Sequence, residues 1–266
     1  MIYFLTSSHC VVGEPRLNPV NGFVDQLNEV LDEPFQMLFV CSDPEDAEEN
    51  DKMAEETVKI FEEAGMEVTD CVVLDRRNQE DAAELVAQAD FIFFCGGHVP
   101  TQNAFLNEIG MREAMEEYDG VVMGVSAGSM NCADVVYAQP EEEGEATDPD
   151  FDKFPLGLGI TQTQILPHYQ QVKDNLVDGL HLYWDISVPD SEGGCFIAMV
   201  DGTYIFGVDG LEELRGEAYL LEDGTMRKIS NEGDIVDLDW DEYWDDDEES
   251  WDESEPWNEE NGEDEE

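Results

Sequence analysis

The sequence predicts an α/β fold: a mostly parallel β-sheet with helices on both faces. Three observations carry that expectation. Apolar strand-like runs alternate with helix-like segments from Ile2 to Val125. The strand runs are continuously apolar rather than alternating, as in a sheet covered on both sides. Small residues and a lone serine directly follow two of these runs, at the carboxyl edge where such sheets bind ligands.

Taken in order, Ile2–Leu5 is the first strand and Gly22–Leu31 the first helix. Met37–Cys41 precedes a helix over Glu45–Ala64, and Val68–Leu74 precedes one over Gln79–Ala89. Phe91–Cys95 ends in the Gly96-Gly97 turn and leads to a helix from about Gln102 to Tyr118, after which Val121–Val125 runs into Ser126. An acidic loop containing Pro and Gly fills Ala138 to Gly159, long enough to signal function or disorder. Beyond Leu166-Pro-His168 a helix is expected from about Val172 to Trp184. Cys195–Val200, Thr203–Val208 and Ala218–Leu221, punctuated by Asp201-Gly202 and Asp223-Gly224, read as antiparallel hairpins completing one edge of the sheet. From Asp237 the chain is rich in Asp, Glu and Trp and lacks Lys and Arg, so residues 237–266 are expected to be a disordered acidic tail on a domain spanning 1–236. That tail holds Trp240, Trp244, Trp251 and Trp257, which could dock on a cationic partner, although the plainer reading is a solubilising segment.

Length and charge narrow the function. A chain of 266 residues suits one domain with a sizeable core. With 67 Asp+Glu against 11 Lys+Arg the formal charge is −56, which repels phosphate backbones and anionic bilayers, so neither nucleic acid nor membrane is an expected partner. The six cysteines are dispersed without a Cys-x-x-Cys pair, as for buried thiols in a reducing compartment, and suggest neither a disulfide framework nor a zinc site. The start lacks the features of a secretory signal, and no apolar run approaches the ~20 residues that span a bilayer. A soluble, cytoplasmic protein is the expectation.

The most informative stretch is Gly124-Val-Ser126-Ala-Gly128, placed between an apolar strand and a helix-compatible run. This is the layout of a nucleophile elbow, in which a sharp turn presents a serine to a base and aims backbone N–H groups at a developing oxyanion. Four histidines could supply the base: His9, His98, His168 and His181. His168 is best placed, following a strand-like run and a proline in a turn; His9 and His98 also fall in loops at the carboxyl edge. Cys132 reads as core. Without a Gly-x-Gly-x-x-Gly continuation or a Walker pattern no nucleotide site is expected, and no metal or other cofactor is required.

Leu5-Thr-Ser-Ser8, Phe94-Cys-Gly-Gly97-His-Val-Pro-Thr-Gln102, Gly124-Val-Ser-Ala-Gly128 and Pro167-His168-Tyr169, in that order, resemble the peptidase E and cyanophycinase family of serine peptidases over roughly Met1 to Leu221. The resemblance implies a class I glutamine amidotransferase-like fold with serine in place of the amidotransferase cysteine. It implies a catalytic serine at Ser126, a catalytic histidine at His168, and oxyanion donors at the N–H groups of Gly97 and Ala127. The peptidase E aspartate of the triad coincides, counting from the serine, with Glu141; Glu142, Glu143, Glu145, Asp148 and Asp150 share its loop. The implied substrate is a small peptide, the family acting on aspartyl dipeptides and on the aspartate–arginine polymer cyanophycin. Where peptidase E holds an acidic substrate with a basic residue shortly after the histidine, this chain offers only Lys173; His98 and Gln102 are further candidate substrate contacts. The acidic body favours a cationic or neutral peptide. A different class of function, a non-catalytic binding or regulatory protein on the same scaffold, is compatible with the fold. A glutamine amidotransferase is disfavoured, because replacing Cys by Ser removes thiolate chemistry.

Overall fold

A computed structural model describes residues 1–238. Its centre is an eight-stranded sheet in which β1 (Ile2–Thr6), β2 (Phe35–Val40), β3 (Val68–Leu74), β4 (Phe91–Phe94) and β5 (Val121–Val125) run parallel in the order β3-β2-β4-β5-β1. The continuously apolar runs are explained by burial on two sides. Phe91 and Phe93 of β4 pack with Phe23 and Leu27 of α1 (Phe23–Val30) and Phe61 of α2 (Ala47–Glu63). Ile92 and Phe94 point the other way, into a core with Val86 of α3 (Ala82–Gln88). The helix expected from Gln102 to Tyr118 is two helices, α4 (Val99–Glu108) and α5 (Met111–Met115), because Gly110 between them adopts φ +64°. The short α6 (Ala127–Asn131) follows β5.

The second half departs further from expectation. Beyond β6 (Ile165–Leu166) and α7 (Tyr169–Val172), the anticipated helix to Trp184 is replaced by the hairpin β7 (Leu176–Val177) and β8 (Leu180–His181) and a π-helical segment, Leu182–Ser187. Asp178 and Gly179 both have positive φ, the backbone of a tight hairpin turn, and interrupt the helix. After α8 (Val188–Asp190) come β9 (Cys195–Met199), β10 (Tyr204–Val208), β11 (Leu211–Arg215), β12 (Ala218–Glu222), β13 (Thr225–Ser230) and β14 (Ile235–Leu238). These strands do not all extend one edge. β10, β11 and β14 continue the large sheet antiparallel beyond β1, whereas β13-β12-β9-β6 form a separate four-stranded sheet. The chain therefore changes sheets between β9 and β10, at Asp201-Gly202. β14 crosses the expected domain boundary at 236/237, and the rest of the acidic tail, with its tryptophans, lies outside the described residues. Among the described residues no helix is long and apolar enough to cross a membrane.

Candidate active site

Strand β5, buried along its whole length, delivers the chain to the carboxyl edge of the sheet at Ser126. There the backbone turns sharply: Ser126 has φ 52° and ψ −113°, and α6 begins at the next residue. Such a conformation costs on the order of 1–3 kcal/mol and persists only where its surroundings enforce it. They do so here by close approach. A Cβ on Gly124 would stand 2.7 Å from the Ser129 backbone, and one on Gly128 would stand 2.2 Å from the Phe94 carbonyl oxygen. Thr6 at the end of β1 ties the turn down. Its carbonyl accepts from the Ser126 N–H at 3.0 Å and from Ser129 Oγ at 2.8 Å, and its hydroxyl donates to the Gly124 carbonyl at 2.9 Å.

The Gly96-Gly97 turn closes on the serine from β4. A Cβ on Gly96 would lie 3.4 Å from Ser126 Cβ, and one on Gly97 would collide with Ser42 Oγ at 2.2 Å. Among the described residues, neither the Gly97 N–H nor that of Ala127, first residue of α6, donates to a protein acceptor. Both are left for a ligand oxygen.

His168 enters from β6 through Pro167 and sits in the left-handed region, φ 56°, at the head of α7. Its Nδ1 lies 2.6 Å from Asp201 Oδ1, a carboxylate whose side chain is only 2% exposed. Ser7 bridges the pair: its hydroxyl donates to Asp201 Oδ1 at 2.9 Å and accepts from the His168 backbone N–H at 2.8 Å. Gln171 donates to Asp201 Oδ2, and the Asp201 N–H donates to Gln170 Oε1 at 3.0 Å. Burial would raise the Asp201 pKa, but hydrogen bonds and charge from His168, with hydrogen bonds from Ser7 and Gln171, hold it below the ordinary carboxylate range. An ionised Asp201 accepts a hydrogen bond from Nδ1–H, which keeps that proton on Nδ1 and leaves the Nε2 lone pair free.

This corrects the expectation for Glu141. The carboxylate on His168 is Asp201, carried by the crossing between the two sheets rather than by the acidic loop. Glu141 instead joins Ser126 and His168 in the wall of a cavity of about 240 Å³. The residue is exposed, yet desolvation of its carboxyl by the neighbouring protein, with repulsion from Glu145 and Glu142, pushes it up to about 7 against the pull of His98 and His168.

The three candidate substrate contacts are also reassigned. Gln102 is fully buried: its amide donates to the Cys41 and Cys95 carbonyls at 3.2 and 3.0 Å and accepts from Asn131 at 3.0 Å, so it braces the loops instead of facing substrate. His98 has both ring nitrogens engaged, by Thr101 Oγ1 at 2.7 Å and Glu145 Oε1 at 2.8 Å. Lys173 lies over the Tyr169 ring, 5.8 Å from its centre, and does not line the cavity. Cys132 is fully buried, as expected of a core residue. His98, Glu142 and Glu145 bring ligand atoms within 4.8 Å of one another and are the cluster among the described residues that could hold a metal ion; His98 and Glu145 there bond each other directly. A larger hollow of about 830 Å³, near Ile2, Asp90 and Gly120 at the opposite end of the strands, is lined by no serine, cysteine or histidine.

The signals for Asp201 and Ser7 were of unequal quality. Ser7 belongs to the Leu5-Thr-Ser-Ser8 motif, whereas Asp201 sits in an Asp-Gly pair that resembles an ordinary hairpin turn.

Comparison with known proteins bears on the fold and the family. The crystal structure of a peptidase from an acI-B1 Actinobacterium superposes with a TM-score of 0.63 at 19% identity, covering 89% of this chain and 96% of that one. A putative peptidase E protein from Listeria monocytogenes EGD-e gives a TM-score of 0.53 at 16% identity, covering 86% and 98%. These likenesses establish a shared fold. No curated protein matches the sequence. The model of peptidase family S51 matches residues 3–204, which include the elbow, His168 and Asp201, and the chain thus belongs to peptidase family S51, a family of serine peptidases.

Proposed function

We propose that the protein hydrolyses a small peptide or related amide through an acyl-enzyme on Ser126, with His168 as general base and acid and Asp201 as the residue that orients it. One observation carries this reading: a serine held in a strained elbow and an imidazole anchored by a buried carboxylate line the same cavity. In the first step Ser126 Oγ bonds to the scissile carbonyl carbon while its proton passes to His168 Nε2. The Gly97 and Ala127 N–H groups receive the oxyanion. Collapse of the tetrahedral intermediate expels the amine, which takes the proton from His168; water, deprotonated by the same nitrogen, then attacks the acyl carbon, and as the Ser126 Oγ–acyl bond breaks to release the acid, Oγ takes the proton back from His168. Asp201 keeps the proton on Nδ1 and stabilises the imidazolium that forms.

The cavity is smaller than the roughly 300–1,000 Å³ of sites for drug-sized ligands, which favours a dipeptide-sized substrate over a long chain. All six cysteines are free, in keeping with action in a reducing, cytoplasmic setting. A fluorophosphonate probe tests the proposal. Labelling of Ser126 that vanishes in Ser126→Ala and slows sharply in His168→Ala is the expected result; a serine refractory to the probe in the wild-type protein supports a non-catalytic binder instead.

A further inference from the structure

We infer that Glu141 is the specificity residue of this site, receiving a positively charged group of the substrate, an ammonium or guanidinium, beside Ser126. The inference rests on the peptidase reading above and adds the substrate class to it.

Four observations converge. Asp201 occupies His168 Nδ1, so the histidine does not need the Glu141 carboxylate for its orientation. The Glu141 carboxylate makes no hydrogen bond or ion pair among the described residues, although its backbone N–H is used. Every other wall residue of the cavity apart from His168 is non-ionisable: Met130, Val172 and Leu182 provide apolar surface, and Gln139 and Asn175 provide amides. An acidic side chain entering there meets no fixed cation; a basic one meets an unpaired carboxylate.

The fourth observation is that the loop is built to hold this carboxylate in place. Glu145 Oε2 accepts from the N–H groups of Glu141 and Glu142 at 2.8 and 2.9 Å, while its other oxygen is bonded to His98. Asp178, in the β7–β8 turn, accepts from the N–H groups of Gly144 and Ala146 at 2.7 and 3.1 Å. The segment is therefore pinned from both sides, and little ordering remains to be done when a ligand arrives. An unpaired carboxylate in the wall of a small cavity is a recognition element, because a matching cation pairs with it and a neutral isostere leaves it unpaired.

The test measures how well small molecules protect Ser126 from a fluorophosphonate, together with the cleavage of matched peptides. n-Butylguanidinium and n-butylammonium are compared with n-butanol as protectants, on the wild-type protein and on Glu141→Gln. Peptides carrying Arg or Lys are compared with citrulline or norleucine isosteres, each with a free and an acetylated amino terminus, which distinguishes a side-chain cation from a terminal one. We expect the wild type to favour the cationic member of a pair by about tenfold or more, largely through KM, and Glu141→Gln to shrink that ratio to within about threefold. Equal protection by cation and alcohol in the wild type, or equal loss of kcat for charged and neutral peptides in Glu141→Gln, would overturn the inference; the second result would mean that Glu141 serves His168. If wild-type Ser126 resists the probe altogether, the peptidase reading fails and the inference falls with it. Labelling without charge discrimination sinks the inference alone.

Discussion

Asp201 and Glu141 are two carboxylates near one imidazole, and their surroundings divide the work between them. Asp201 is buried, hydrogen-bonded on both oxygens and held below the usual carboxylate range; Glu141 is unpaired and pushed up to about 7. Replacing Asp201 by Asn keeps the shape but allows the wrong tautomer on His168. Labelling of Ser126 in Asp201→Asn should therefore slow by up to roughly 10⁴-fold, the loss seen when a triad carboxylate is replaced by its amide. Glu141 predicts a pH effect. Only its ionised form attracts a cation, and the groups facing it are His98, His168, Glu142 and Glu145. KM for a cationic peptide should thus fall as pH rises through about 7, whereas KM for its neutral isostere should not follow the same curve; steady-state kinetics from pH 5.5 to 8.5 would show the difference. At this scale the serine and histidine were legible because each lies in a short local motif. The carboxylate was not, because it stands 33 residues beyond the histidine and meets it only through the parallel pairing of β6 with β9.

At the level of elements, the elbow depends on how closely α6 approaches β4 and β5. Gly128→Ala places a methyl group against the rigid Phe94 carbonyl, and no side-chain rotation relieves that contact. We expect it to destabilise the fold by about 1–3 kcal/mol or to displace the serine. Gly194→Ala, at a position with open space around it, should stay within about 0.5 kcal/mol of the parent. Urea midpoints for the two variants decide this. The same elements show why the sequence was readable up to Val125 and less so afterwards. β1, β4 and β5 are buried almost throughout and announce themselves by apolar runs, whereas β2 carries an exposed Gln36 and the edge strand β3 an exposed Thr69 and Asp70. β11 reads Leu-Glu-Glu-Leu-Arg and β13 Thr-Met-Arg-Lys-Ile-Ser, mixed patterns that do not stand out from loops. The Asp-Gly pairs behave differently, Asp178-Gly179 closing the β7–β8 hairpin. Asp209-Gly210 and Asp223-Gly224 close hairpins, but Asp201-Gly202 carries the chain from one sheet to the other, a choice made by strand pairing rather than by the pair itself.

For the molecule as a whole, charge sets the dependence on solution conditions. A formal charge of −56 makes the native state self-repelling, so raising salt from 20 to 500 mM should increase the urea midpoint, as screening shortens the range of that repulsion. His9 adds a component of its own. Both its ring nitrogens are buried without partners, its ring packs edge-on against Phe93, and burial lowers its pKa to about 4. Between pH 6.5 and 4 the unfolded chain therefore binds the proton that the native state refuses, and stability is lost as pH falls through that window, by on the order of 3 kcal/mol in full. His9→Phe should flatten this contribution, read as the difference in denaturation midpoint between pH 7 and pH 4.5 for variant and parent.

The crossing at residue 201 also fixes when this peptidase can begin to work. During synthesis Ser126 and His168 emerge before Asp201, which comes beside the imidazole once β9 has paired with β6. On the proposed mechanism, a chain truncated near residue 200 lacks the carboxylate that orients His168, and its Ser126 should react slowly with a fluorophosphonate.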